Sequence, residues 1–110
     1  MGAADVRRAA EFWGRALGYV PRDKVIDDTF VVLAPPDSVG QNISLMLSET
    51  PVQEKPRVHL DLYTADPARE IERLLELGAS PVDWPDYPPD PDFTVLADTE
   101  GNRFCVIDKS

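Results

Sequence analysis

Apolar residues recur at helical spacing in two stretches of the chain that lie about 60 residues apart. In the first stretch they form one broad stripe, made of Val6, Ala9, Ala10, Phe12, Trp13, Ala16 and Leu17. Asp5 can accept hydrogen bonds from the free N–H groups of the first turn, and Gly18 is a typical helix stop. The pattern therefore predicts a helix over about residues 6–17.

The second stretch repeats this arrangement. Asp66 is the predicted N-cap, and Pro67 occupies the first helical position, where its missing N–H has no cost. The predicted buried stripe consists of Ile71, Leu74 and Leu75. Gly78 is expected to end this helix, as Gly18 ends the first.

Short apolar runs between and after the helices predict β-strands. The clearest runs cover residues 30–34, 43–47, 93–97 and 103–107. Two weaker runs, Lys24–Ile26 and Val82–Trp84, are also predicted as strand segments. Asp98–Asn102 joins the last two clear runs as a hairpin turn.

The stretch Arg57–Thr64 alternates apolar and polar positions, which predicts a strand with two different faces. One face would carry Val58, Leu60 and Leu62. The other would carry His59, Asp61 and Tyr63. A polar strand face is usually solvated, but this one holds the only histidine of the chain and is also suited to lining a site.

The order of these elements repeats along the chain. The helices that end at Gly18 and Gly78 correspond to each other, as do the runs Phe30–Ala34 and Phe93–Ala97. Gly40 precedes an apolar run in the same way as Gly101 does. These pairs keep their order at an offset of about 60 residues, so they predict two copies of one β-α-β-β-β unit.

The repeat predicts how the whole chain is organised. One domain is expected over residues 1–110, with the first unit at about 1–50 and the second at about 57–110. Residues 50–56 form a polar, proline-flanked linker. Only Met1–Ala4 precede the first helix cap, so the first strand is very short or the chain begins within it. The predicted fold class is α+β, with the first strand short or missing.

Composition and charge narrow the classes of function. The chain has 110 residues and a formal net charge of -9, from 20 acidic and 11 basic side chains. This charge repels phosphate backbones and anionic lipid surfaces, which argues against nucleic-acid and membrane partners. No apolar run approaches the roughly 20 residues of a membrane span, and the N-terminus lacks a signal-peptide pattern. Cys105 is the only cysteine, so no internal disulfide can form, and we expect a cytoplasmic protein.

Three segments resemble the vicinal-oxygen-chelate superfamily, which includes glyoxalase I, bleomycin-resistance proteins and extradiol dioxygenases. The segments are Ala9–Tyr19, Arg57–Leu62 and Val95–Val106, and they are most similar to small bacterial glyoxalase-like members. The resemblance implies tandem βαβββ units whose eight strands form two four-stranded sheets, giving a curled mixed sheet around a cavity. The function stays open because this scaffold hosts isomerases, lyases, dioxygenases and drug-sequestering binders.

The resemblance also implies where a metal ion would bind. Metal-dependent members use four side chains, usually His and Glu, from the opening and closing strands of both units. Here His59 matches one position, whereas Ser44, with Met46 next on its face, and Cys105 stand at the two closing-strand positions. The first opening strand offers no ligand. Because His59 and Cys105 without a third ligand make a poor site, we expect no metal and no cofactor.

The chemically interesting side chains also have plainer interpretations. His59 is the candidate catalytic residue because a histidine transfers protons near neutral pH, but it could simply hydrogen-bond a neighbouring polar group. Asp61 could orient His59, although residues two apart on a strand seldom meet. Cys105 lies mid-strand, where a small buried hydrophobe is favoured over a nucleophile. Trp84 and Tyr87 lie on a proline-rich loop, where large aromatics often cap a pocket.

We therefore expect a protein that binds a hydrophobic or planar small molecule in a metal-free cavity. The candidate ligand-binding residues are Phe30, Val32, Ser44, Met46, His59, Asp61, Tyr63, Trp84, Phe93, Val95 and Cys105. The alternative is a metal-independent isomerase or lyase that uses His59 for proton transfer. A third interpretation is a protein-interaction module, because similar proteins commonly dimerise and an exposed sheet edge invites pairing; a homodimer is expected.

Overall fold

The computed structural model describes residues 1–23 and 27–110, and these contain two helices and eight strands. The chain divides into two compact units, Met1–Pro51 and Val52–Ser110. Each unit holds one helix and one four-stranded mixed sheet, which confirms the predicted α+β class and the tandem βαβββ order. The strand predicted at Lys24–Ile26 lies outside the described residues.

The first unit has one helix between short strands. Its elements are β1 (Gly2–Ala3), α1 (Val6–Leu17), β2 (Val20–Pro21), β3 (Phe30–Ala34) and β4 (Ile43–Leu47). The sheet order is β1-β4-β3-β2, in which β1 runs parallel to β4 and the other pairs are antiparallel. Strand β1 has only two residues, which confirms the expected short first strand.

Helix α1 begins and ends where the sequence predicts. The Asp5 carboxylate accepts a hydrogen bond from the N–H of Arg8 at 3.0 Å, and Gly18 ends the helix with a φ of 69°. The apolar stripe packs on β3 and β4. Phe12 and Trp13 are almost fully buried, and their rings meet edge to face with 5.0 Å between centroids. Both aromatics therefore belong to the core of the first unit.

The second unit repeats the design with a longer opening strand. Its elements are β5 (Asp61–Thr64), α2 (Pro67–Leu77), β6 (Ser80–Pro81), β7 (Phe93–Ala97) and β8 (Arg103–Asp108). The sheet order is β5-β8-β7-β6, and β5 runs parallel to β8. Neither described helix has the length and apolar character that a membrane crossing requires.

Helix α2 confirms the predicted caps but narrows the predicted buried stripe. Asp66 accepts a hydrogen bond from the N–H of Arg69 at 3.2 Å, and Pro67 opens the helix. Leu74 is fully buried, whereas Leu75 is 37% exposed. Consecutive helical residues point about 100° apart. When Leu74 faces the sheet, Leu75 therefore lies at the side of the helix, where solvent reaches it. The prediction that Leu75 is buried was wrong.

The opening strand of the second unit is shorter than predicted. It starts at Asp61, and Val58, expected on the apolar face, is 87% exposed. Asp61 pairs with Cys105, so Val58 would fall opposite Asn102, in the turn before β8. With no strand opposite it, Val58 lies outside the ladder, so the prediction that the strand begins at Arg57 was wrong.

The strand predicted at Val82–Trp84 is absent from the structure, and a two-residue strand, β6, lies just before it at Ser80–Pro81. Ser80 pairs with Ala97, so a continuing strand would bring Val82 opposite Val95. Instead, the N–H of Val95 donates to the Tyr87 hydroxyl at 2.8 Å. A side chain from the following loop therefore takes the hydrogen bond that a longer strand would have made.

A buried carboxylate holds the turn between β7 and β8. Asp98 is only 3% exposed, and its Oδ1 accepts hydrogen bonds from the N–H groups of Glu100 at 2.8 Å and Asn102 at 2.9 Å. The backbone N–H of Asp98 donates to the carbonyl of Asn102 at 2.9 Å. These bonds satisfy the turn locally and fix the register in which β8 leaves it.

Two helix-ending glycines offer a matched test of this fold. Gly78 has a φ of 122°, and a Cβ there would lie 3.1 Å from Cγ2 of Thr99, whereas Gly18 has no atom within 4 Å of that position. We expect Gly78→Ala to lower the free energy of unfolding by about 2–3 kcal/mol and Gly18→Ala by about 1 kcal/mol. Urea denaturation followed by circular dichroism measures both losses, and equal losses would contradict the packing at Gly78.

Candidate functional site

The second unit contains a cavity of about 380 Å³ on one face of its sheet. Among the described residues its lining is Pro56, His59, Asp61, Trp84, Asp86, Asp92, Phe93, Val95, Arg103, Phe104, Cys105 and Ile107. Pockets of a few hundred cubic ångströms with mostly apolar walls and a few polar groups are typical small-molecule sites.

Strand register builds the floor of this cavity. Across the antiparallel pair β7–β8, Phe93 lies opposite Ile107 and Val95 lies opposite Cys105. Across the parallel pair β5–β8, Asp61 lies opposite Cys105. Residues directly opposite each other share a face of the sheet, so three strands place Asp61, Cys105 and Val95 in one row. The pairing therefore puts one polar residue at the edge of an apolar floor.

The loop before β7 forms an aromatic wall, and Tyr87 fixes it. The Tyr87 ring packs on Phe93 with 5.3 Å between centroids, and its hydroxyl accepts the hydrogen bond from Val95. Trp84, earlier on the same loop, lines the cavity. The sequence offers Trp84 and Tyr87 of this proline-rich loop as candidates for an aromatic cap; Trp84 lines the cavity, whereas Tyr87 lies outside its lining.

An ion pair joins the loop to the segment that leads into β5. Lys55 Nζ lies 2.8 Å from Asp86 Oδ2, and both side chains are more than half exposed. Pro56, next to Lys55, and Asp86 itself line the cavity. This ion pair lies at one side of the cavity mouth. Because exposed ion pairs contribute little to stability, it does not hold the loop rigidly in place.

His59 and Asp61 form a polar corner of the cavity. Nδ1 of His59 lies 3.1 Å from Oδ1 of Asp61, and the two side chains are 40% and 39% exposed. The carbonyl of Leu60 lies 3.5 Å from the same nitrogen. Residues two apart on a strand seldom meet, which argued against this contact. That rule does not apply because His59 precedes β5, so its side chain is not held by the pleat.

Cys105 lies beside this corner as a buried thiol. It is 9% exposed, and burial raises the pKa of the thiol, with the nearby Asp61 carboxylate raising that pKa further. A thiol that stays protonated is a poor nucleophile. The structure therefore gives Cys105, when no cation is near, the character of a small buried hydrophobe.

Three potential metal donors come together at the same place. Side-chain donor atoms of His59, Asp61 and Cys105 all lie within 4.8 Å of one another. The positions implied by the family resemblance include only His59 and Cys105 of these three. Asp61 is the third donor, brought there by its pairing with Cys105. One nitrogen, one oxygen and one sulfur donor fit a zinc-like cation, which catalytic sites commonly hold with three protein ligands.

The remaining predicted site residues lie elsewhere. Phe30 pairs with Met46 and Val32 with Ser44, so these four share one face of the first sheet. Phe30 and Met46 are exposed and Val32 is buried. Tyr63 pairs with Ile107 but is 62% exposed and lies outside the cavity lining described above. For all these residues a role in binding stays a prediction.

Several cavity residues were missed from the sequence. Arg103 and Ile107 alternate with Cys105 along β8, so the two-residue period of a strand could have identified both. Pro56, Asp86 and Asp92 come from irregular segments. Their positions depend on how loops fold over the sheet, and no local sequence pattern predicts that.

The chain is similar throughout to one protein family. The family model described as the glyoxalase-like domain matches residues 1–107. A comparison with curated proteins found no match to this sequence.

Solved structures of related architecture cover nearly the whole chain. A glyoxalase/bleomycin resistance protein/dioxygenase family enzyme from Burkholderia phytofirmans PsJN has a TM-score of 0.72 at 13% identity, with 98% of this chain and 93% of that chain covered. A possible glyoxalase from Bacillus cereus has a TM-score of 0.68 at 19% identity, with 97% and 92% covered. A glyoxalase-related enzyme from Fulvimarina pelagi has a TM-score of 0.67 at 17% identity, with 99% and 84% covered. At such identities the likeness concerns the fold alone.

Removing the Tyr87 hydroxyl tests how the cavity wall is anchored. Tyr87→Phe keeps the ring contact with Phe93 but loses the hydrogen bond from Val95, so we expect a loss of about 1 kcal/mol in the free energy of unfolding. Hydrogen exchange of the Val95 amide should become faster. Tyr63→Phe, on an exposed side chain, is the matched control and should change neither quantity. Unchanged exchange at Val95 in Tyr87→Phe would contradict the proposed anchor.

Proposed function

Because this chain belongs to the family of glyoxalase-like domains, we propose that its second unit binds a hydrophobic or planar small molecule without needing a metal ion. The observation that carries the proposal is the cavity of about 380 Å³ on the face of the second sheet. Its volume lies near the lower end of the range for ligand pockets, which suits a compound of one or two rings.

The walls of the cavity support an apolar, planar ligand. Trp84 and Phe93 offer aromatic faces, and Val95 and Ile107 supply aliphatic surface between them. Aromatic rings stack favourably on planar compounds, and each buried apolar side chain adds roughly 25 cal/mol per Å² of surface removed from water. The ordering hydrogen bond of Tyr87 holds this wall in place before a ligand arrives.

The polar side chains would orient the ligand rather than supply most of the affinity. His59 and Asp61 lie together at one corner, and Arg103 lies two residues before Cys105 on β8. A few convergent polar groups in a mostly apolar pocket commonly set ligand orientation and specificity. A planar compound with one polar edge matches this distribution.

The alternative function is a metal-independent isomerase or lyase. The contact between His59 and Asp61 favours it, since a carboxylate can hold an imidazole in a defined orientation for proton transfer. Two proteins of similar structure, from Fulvimarina pelagi and Burkholderia phytofirmans PsJN, are described as enzymes. The homodimer and the cytoplasmic location predicted from the sequence also stay proposals.

Titration with a neutral planar probe tests the binding proposal. Prodan, a neutral and planar two-ring naphthalene dye whose fluorescence rises in apolar surroundings, is added to the full chain in excess EDTA. We expect saturable binding of one probe per chain. Phe93→Ala removes an aromatic ring from the cavity floor and should weaken binding by about tenfold, which corresponds to about 1.4 kcal/mol.

The matched control removes an apolar side chain that lies outside the cavity. Val58→Ala truncates a residue that is 87% exposed and should leave the affinity unchanged. Equal losses in both variants, or no saturable binding by the unmodified chain, would contradict the proposal. Turnover of a compound from a wider aromatic library, abolished by His59→Ala, would assign the enzymatic alternative instead.

A further inference from the structure

We infer that the polar corner of the second unit is a binding site for a zinc-like divalent cation, with His59, Asp61 and Cys105 as its three protein ligands. The donor atoms of these side chains lie within 4.8 Å of one another. All three belong to one unit, and one of them is a thiol. This set differs from the His and Glu ligands, drawn from both units, that the family resemblance implies.

The spacing of the first two donors already suits one cation. His59 Nδ1 and Asp61 Oδ1 are 3.1 Å apart. Neighbouring nitrogen and oxygen donors of a tetrahedral zinc ion are separated by roughly 3.4 Å, given metal–ligand bonds of about 2.0–2.2 Å, so the two atoms would move apart by only a few tenths of an ångström. Cys105, opposite Asp61 across the parallel strand pair, supplies the third donor from a rigid position in the sheet.

The identity of the donors selects the kind of cation. Magnesium and calcium prefer oxygen ligands, usually six or more including water. A thiolate and an imidazole are softer donors that favour zinc and later transition metals. Zinc sites with three protein ligands keep a fourth position open for water or for a ligand oxygen. The open position would face the cavity in which these three residues lie.

The charge around the corner also favours a cation. Asp61, Asp86 and Asp92 line the cavity, against one lining arginine, Arg103. Lys55 compensates Asp86 through their ion pair. The formal net charge of the chain is -9. A divalent ion in the corner would reduce the repulsion that remains among these carboxylates.

This inference goes beyond the proposed function and can fail separately from it. The planar compound is proposed to bind the aromatic wall, and its titration is done in EDTA. The cation is proposed to bind the polar corner, and its titration is done without the compound. The experiments therefore distinguish a chain that binds only the probe from one that binds only the metal, and both from one that binds the two.

Cobalt substitution tests the site through a spectroscopic signature of the thiolate. The full chain is reduced, treated with EDTA, desalted and titrated with Co²⁺. We expect a thiolate-to-cobalt charge-transfer absorption that saturates at one equivalent and is lost when Zn²⁺ is added. Millimolar Mg²⁺ should not displace the cobalt, because the donor set is too soft for magnesium.

Variants assign the ligands one by one. Cys105→Ser should abolish the charge-transfer absorption, and His59→Ala and Asp61→Asn should each weaken Zn²⁺ binding by more than about tenfold. Tenfold is roughly the smallest loss found when a residue that merely supports a metal ligand is mutated, and loss of a ligand itself should cost more. Glu76→Gln, which removes an exposed carboxylate of α2, is the matched control and should bind Zn²⁺ as the unmodified chain does. Circular dichroism checks that each variant is folded. His59→Ala keeps the test decisive if Cys105→Ser fails to fold, since His59 lies before β5.

Three results would overturn the inference. One is the absence of saturable cobalt and zinc binding by the unmodified chain. Another is a charge-transfer absorption that persists in Cys105→Ser. The third is an Asp61→Asn variant that binds Zn²⁺ as tightly as the unmodified chain, because the site would then lack its third protein ligand.

Discussion

Asp61 of β5 lies opposite Cys105 of β8 in a parallel strand pair, and the contents of the cavity depend on this register. A shift of one residue would turn every side chain of β5 to the other face of the sheet. The turn held by Asp98 sets where β8 begins, since its carboxylate takes up the N–H groups of Glu100 and Asn102. A buried carboxylate at one end of the strand thus fixes which residues face the site.

From this register the two halves of the site follow. Across β7 and β8, paired residues give an apolar floor, which Tyr87 borders: its hydroxyl anchors the loop before β7 by accepting the hydrogen bond from Val95 that a longer β6 would have accepted. At the other edge, Asp61 brings a carboxylate beside Cys105 and beside His59. One sheet therefore presents an apolar floor and, at its edge, a corner where three potential donor side chains meet.

Much of the fold could be predicted because local signals were strong. Caps at Asp5 and Asp66, glycine stops and the repeat located both helices, and apolar runs located the longer strands. The opening strand was predicted too long, because alternation at Val58 cannot reveal that its partner would be a turn residue. For the site, loop residues such as Asp86 escaped prediction, and the meeting of His59 with Asp61 depended on where β5 begins.

Backbone NMR of the full chain with the neutral planar probe, in EDTA, tests the central claim that the second unit has its own binding cavity. We expect amide shifts to change on the cavity floor, around Phe93, Val95 and Cys105, and at the loop around Trp84. Amides of α1 should stay unchanged. Shift changes confined to the first unit, or spread evenly over both units, would contradict it.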